Sequence, residues 1–108
     1  MDEKTGCAIL FDVCKSAGYK IKQNVKFKEE GLKFIADGWD KEARVGYEFI
    51  TDEAGDRKEF DEKTCDELEA RMRRDELHFF LCDELVDLSE EELRNAATQF
   101  LIIVQKRN

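Results

Sequence analysis

The chain has no proline, six glycines, one tryptophan and one histidine in 108 residues. Without proline, and with so little glycine, it holds no flexible linker or low-complexity tract. No segment recurs at a fixed period, which excludes solenoids and propellers. No apolar run exceeds five residues, the length of the one from Phe100 to Val104, far short of the roughly 20 needed to span a bilayer. The opening MDEKTG is acidic, where an export or mitochondrial signal is basic, so a cytoplasmic protein is expected. The four cysteines, Cys7, Cys14, Cys65 and Cys82, form no CxxC pair, and His78 is the single imidazole; zinc-site spacing is therefore missing. HExxH, GxSxG and glycine-rich phosphate loops are also absent. The residues thus carry no enzyme signature, and a non-enzymatic role with no cofactor is expected.

What the chain does have is charge. Charged residues make up 41% of it and the net charge is −8. Residues 1–50 balance, with nine basic and nine acidic side chains, whereas residues 51–108 carry nine basic and 17 acidic ones. An acidic long-range field repels nucleic acid and argues for a protein partner. A further alternative is that the acidic half mimics DNA for a DNA-binding target, a partnership that salt would weaken strongly. The 42% hydrophobic content is enough for one self-sufficient domain spanning 1–108.

Periodicity supplies the elements. Cys7, Leu10, Phe11 and Cys14 recur at helical spacing and predict a helix over 4–17, ended by Gly18. Residues 19–27 alternate strictly: Tyr19, Ile21, Val25 and Phe27 fall on one face, and Lys20, Lys22, Lys26 and Lys28 form a positive stripe on the other. A hairpin turning at Gln23-Asn24 is the competing reading of that stretch. Glu29-Glu30-Gly31 reads as a turn, strands follow over 32–37 and 44–51, and 52–59 reads as a solvated loop. A helix over 61–74 has Thr64 and Glu67 at the spacing of a capping box. The apolar run over 77–82 reads as a central strand, and Ser89 with Glu92 opens a last helix. The expected fold is α/β (α+β): an α-β-β-β-α-β-α order with a mixed, mainly antiparallel four-stranded sheet and three helices.

The segment LKFIADGWDKEARVGYEFI, residues 32–50, gathers the most candidate chemistry. Trp39, Asp40, Glu42 and Arg44 in its charged turn are the expected protein-binding residues, with the stripe of Lys20, Lys22, Lys26 and Lys28 second. Trp39 is either tucked over the sheet or exposed as an anchor. Asp37-Gly38 is a turn signal, and outward acids otherwise keep a strand edge soluble. An inhibitor, immunity-type or accessory factor suits the size and charge.

The α-β-β-β-α-β core over about residues 4–85 also resembles that of the PD-(D/E)xK nucleases. In that comparison Asp37 or Asp40 matches the first acid, and Glu48 matches the acid of the tripeptide. The resemblance implies Mg²⁺ held by Asp37, Asp40 and Glu48, polarising a phosphate and activating water. Ile50 stands where that family has its lysine, and no proline precedes the first acid. The implied alternative is accordingly a divalent-metal-dependent nuclease or an inactive relative of that fold.

Overall fold

A computed structural model describes residues 1–51 and 56–107. Its elements run α1 (Glu3–Ser16), β1 (Lys22–Glu29), β2 (Leu32–Asp40), β3 (Val45–Ile50), α2 (Asp56–Glu59), α3 (Glu62–Arg73), β4 (His78–Asp83) and α4 (Glu90–Arg107). This is the expected α+β order, with α2 a single additional turn where loop was anticipated. The remainder of that loop, 52–55, lies outside the described residues. The strands form one four-stranded sheet in the order β1-β2-β3-β4. The first two pairings are antiparallel and β3/β4 is parallel. A parallel neighbour requires a long crossover, and α3 lies on it.

The helix ends follow from local hydrogen bonding. The Asp2 carboxylate caps α1 by accepting the Thr5 N–H at 2.8 Å, and the Thr5 bonds hold its pKa below the ordinary aspartate value. Gly18, at φ 95, closes the helix, with its own N–H on the Lys15 carbonyl and the Tyr19 N–H on that of Cys14. For α3 the cap is Asp61, which accepts the Thr64 N–H; the Thr64/Glu67 pair anticipated for that role lies within the helix. Ser89 and Glu92 form the anticipated reciprocal box before α4, at 3.0 and 3.1 Å.

Two cores sandwich the sheet. On one face Ile9, Leu10 and Cys14 of α1, with Leu93, Ala97, Leu101 and Val104 of α4, bury Val45, Tyr47, Phe49 and Cys82. On the other, Leu68 of α3 and Phe60 cover Phe27, Leu32, Phe34, Ala36, Trp39 and Phe79. All four cysteines are free thiols. Burial raises the pKa of each, Cys14 to about 11, so they stay protonated core groups.

The first hairpin changes face partway along. Leu32, Phe34 and Ala36 belong to the α3-side core, and so does Trp39, three positions beyond Ala36. The chain through β1 changes with it: Val25 and Phe27 pack on the α3 side, whereas Tyr19 and Ile21, just before the strand, pack on the opposite core. Asn24, at φ 54, sits at the changeover without turning the chain, so β1 continues through it. Asn tolerates this left-handed conformation better than other non-glycine residues. The lysines are divided accordingly. Lys26 and Lys28 lie opposite Ile35 and Lys33, but Lys22 pairs with Trp39. The single stripe anticipated from period two is thus broken by one residue of reversed parity.

Gly38 and Gly46 make the middle of the sheet compact. Gly46 lies between its cross-strand partners Trp39 and Phe79. Those two rings stack across it, 4.9 Å apart and 5° from parallel. Tyr47 lies over Gly38, where an added Cβ would meet ring carbons at 2.2 and 2.3 Å. Asp37-Gly38 is therefore part of β2 and not a turn: the glycine is required for ring packing.

Candidate functional site

The candidate residues fall into three places around the second hairpin. At its tip, Asp40 pairs with Val45 and residues 41–44 form the loop. Asp40 is buried, and its carboxylate accepts N–H groups from Lys20 at 2.9 Å and from Glu42 and Ala43 at 3.0 Å each. Its carbonyl takes the Arg44 N–H at 2.8 Å. One side chain thus organises the turn and ties it to the chain entering β1.

Arg44, at φ 60, reaches out of that turn. Its guanidinium makes two bonds to Glu29, at 2.7 and 3.0 Å, and a third to the Glu76 carbonyl. It also sits 5.4 Å from the centre of the Trp39 ring, within cation–π range. Glu29 is shared with Arg71, which is buried and bonds Glu67 as well. The Arg44 hydrogen bond, reinforced by the Arg44 and Arg71 charges, holds Glu29 below the ordinary glutamate pKa.

These contacts correct the expected binding turn. Trp39 is only 5% exposed, because stacking on Phe79 and an edge contact with Phe27 draw it into the α3-side core. It is the tucked alternative, not an exposed anchor. Asp40 is committed to backbone amides and Arg44 to Glu29. Among the four turn candidates, Trp39 and Asp40 are buried, Arg44 is half-exposed and Glu42 is exposed.

The acids divide as well. Asp37 and Glu48 meet where β2 and β3 cease to pair: the Asp37 N–H donates to Glu48 Oε2 at 2.9 Å, and the Phe49 N–H donates to Asp37 Oδ2 at 2.7 Å. The two carboxylates bridge the strands where the backbone ladder stops. Glu48 is fully buried. Asp40 does not join them, since its carboxylate is held in the turn. Among the described residues no three His, Cys, Asp or Glu groups converge to hold a metal.

Around Asp37 lies a cleft that sequence spacing did not reveal. Glu3, Cys7 and Phe11 of α1 share it with Asn24, Asp37 and Tyr47. Burial, then the Asp37 charge and a hydrogen bond to Asp37, holds the Cys7 thiol far above its usual range. Burial likewise raises Tyr47. Nothing in the spacing of Glu3 and Cys7 links them to β2, because helix docking alone brings them there.

The third place is the β1 edge. Lys20, Lys22, Lys26 and Lys28 are all exposed and line one groove with Lys41 and Arg44, over Val25, Phe27 and Trp39. The groove encloses about 670 Å³. His78, the remaining titratable candidate, is buried with Nε2 3.1 Å from an Asp75 oxygen. No helix among the described residues is long and apolar enough to cross a membrane. Comparison with protein-family models, curated proteins and solved structures gives no match to the chain.

Proposed function

We propose that the protein is a small non-enzymatic binding domain, an inhibitor, immunity-type or accessory factor, that docks an acidic segment of a protein partner along β1. The observation that carries this function is the β1 groove at the edge of the sheet, where Lys20, Lys22, Lys26, Lys28, Lys41 and the Glu29-paired Arg44 outnumber Glu29, Asp40 and Glu42 over an apolar floor. An edge strand offers unpaired backbone groups to an extended peptide. Its lysines repel the same edge of a second copy while attracting acidic residues. On a chain of net charge −8, this local reversal of sign orients a partner during encounter. Four free thiols suit a reducing cytoplasm.

Zero-length carbodiimide coupling, which joins an amine to a touching carboxylate, tests the proposal in extracts of the native cells. The expected product is one discrete protein adduct whose cross-links map to Lys20, Lys22, Lys26 or Lys28. It should fade with salt and vanish when all four are changed to Glu. An adduct that survives those changes, or maps elsewhere, refutes the β1 edge.

A second function, a divalent-metal-dependent nuclease or inactive relative, takes support from the adjoining Asp37 and Glu48 on β2 and β3. Mg²⁺ would then be the cofactor. Weighing against it are Ile50 in the lysine position and the diversion of Asp40 into the turn. Mn²⁺ titration followed by amide line broadening centred on Asp37 and Glu48 would favour it, and undisturbed lines there would remove it.

A further inference from the structure

We propose that the acidic segment docked in the β1 groove is supplied by a second copy of this chain, through its β4–α4 loop and the first turn of α4. This rests on the groove being the docking face, and it names what fills it.

Both surfaces hold charge that the fold leaves unused. Arg44, Arg71, Arg74, Arg94 and Arg107 are all ion-paired within the chain. Lys20, Lys22, Lys26, Lys28 and Lys41 of the groove are exposed and in no ion pair among the described residues. Of the acids beside them, Glu29 is held by Arg44 and Arg71, and Asp40 by three amides, leaving Glu42 to offset the lysines. At the other surface Asp87, Glu90 and Glu91 are exposed, likewise in no ion pair among the described residues. No Lys or Arg occurs between Asp83 and Leu93.

Shape and polarity match as well. Leu85, 73% exposed, is the most exposed large apolar side chain among the described residues, and its neighbour Val86 is 54% exposed. An acidic loop carrying two apolar side chains complements lysines over a floor of Val25, Phe27 and Trp39. The two surfaces do not meet within one molecule. Strands β1 and β4 are opposite edges of the sheet. The loop is fastened at its own edge, where the Glu84 N–H donates to the Ile50 carbonyl at 3.0 Å and the Leu85 N–H to the Asp83 carboxylate at 2.9 Å. Between copies they meet as unlike faces, loop to groove. The net charge of −8 on each copy opposes approach at long range, so the association is weak and a better-matched acidic partner displaces it.

Sedimentation of the full chain, with amide shifts followed against its concentration, tests the contact. Average mass should rise between micromolar and millimolar concentration, with shifts confined to the β1 lysines and residues 85–91. Lys26→Glu with Lys28→Glu, or Asp87→Lys with Glu91→Lys, should each weaken association roughly a hundred-fold by bringing like charges together. Mixing the two variants should restore it, because the reversed charges then face each other. Both variants stay net acidic, since two reversals change the −8 by four, so net charge does not draw them together. Association that survives either pair of reversals, fails to return on mixing, or shifts other residues overturns the proposal. A parent chain that stays monomeric at millimolar concentration overturns it too. In that case, hexaglutamate shifting Lys26 and Lys28 would leave the β1 groove standing as a docking face, and no response would remove both.

Discussion

Gly46→Ala is the sharpest probe of how this sheet is built. A Cβ on Gly46 would lie 2.5 Å from the Gly38 carbonyl oxygen, 2.7 Å from a Phe79 ring carbon and 2.8 Å from a Trp39 ring carbon. The oxygen belongs to backbone paired with Tyr47, so it cannot swing aside as a surface side chain would. The methyl also wedges between two rings stacked 4.9 Å apart. Overpacking of a tight core costs about 1–3 kcal/mol, and loss of a stacked aromatic pair adds roughly 0.5–1.5 kcal/mol. A destabilisation of about 3 kcal/mol is expected, lowering Tm by roughly 12–20 °C in a domain of this size. Trp39 is the only tryptophan, so its fluorescence reports the stack directly and should shift in the folded variant. Gly18→Ala serves as the control: its site is open, with nothing within 4 Å, but φ is +95, so only about 1 kcal/mol of backbone cost is expected. A Gly46→Ala protein that melts with the parent and keeps its emission spectrum would refute this packing.

Asp40→Ala leaves the Lys20, Glu42 and Ala43 amides without their acceptor and should cost about 3 kcal/mol, read as a lower urea midpoint. Asp40→Asn, which keeps one oxygen, should lose less; equal losses would mean the carboxylate is not what organises the turn. Glu29 supplies a pH test. Its pKa is lowered in the fold by Arg44 and then Arg71, so its stabilisation is present above the unfolded glutamate value of about 4.3. That contribution is lost as pH falls through the folded value. The stability gap between the parent and Glu29→Gln should therefore be widest near neutrality and close in acid. A gap that stays constant with pH would show that the charge on Glu29 contributes nothing.

Order and type of the elements were legible along the chain because they depend on near neighbours. Cys7, Leu10, Phe11 and Cys14 make a helical face wherever that helix docks, and the Ser89/Glu92 box closes on itself within three residues. Strand alternation was equally visible, but the face it selects was not. A single left-handed residue, Asn24, reverses the parity of β1 and divides the lysines, and no period-two count contains that information. The Asp37-Gly38 pair was likewise ambiguous: glycine is used in turns and under rings alike, and only Tyr47 from the next strand selects the second use.

Composition and local pattern thus established one acidic α+β domain with its helices and strands in the right order. Only the packed sheet decided that Trp39 is core, that Asp40 holds a turn while Asp37 and Glu48 adjoin, and that Glu3 and Cys7 reach them from α1. The physical reason is range. Capping and periodicity act over a few residues, whereas burial and carboxylate convergence depend on strand register and helix docking between distant segments, as Ile9 of α1 and Val104 of α4 are in one core.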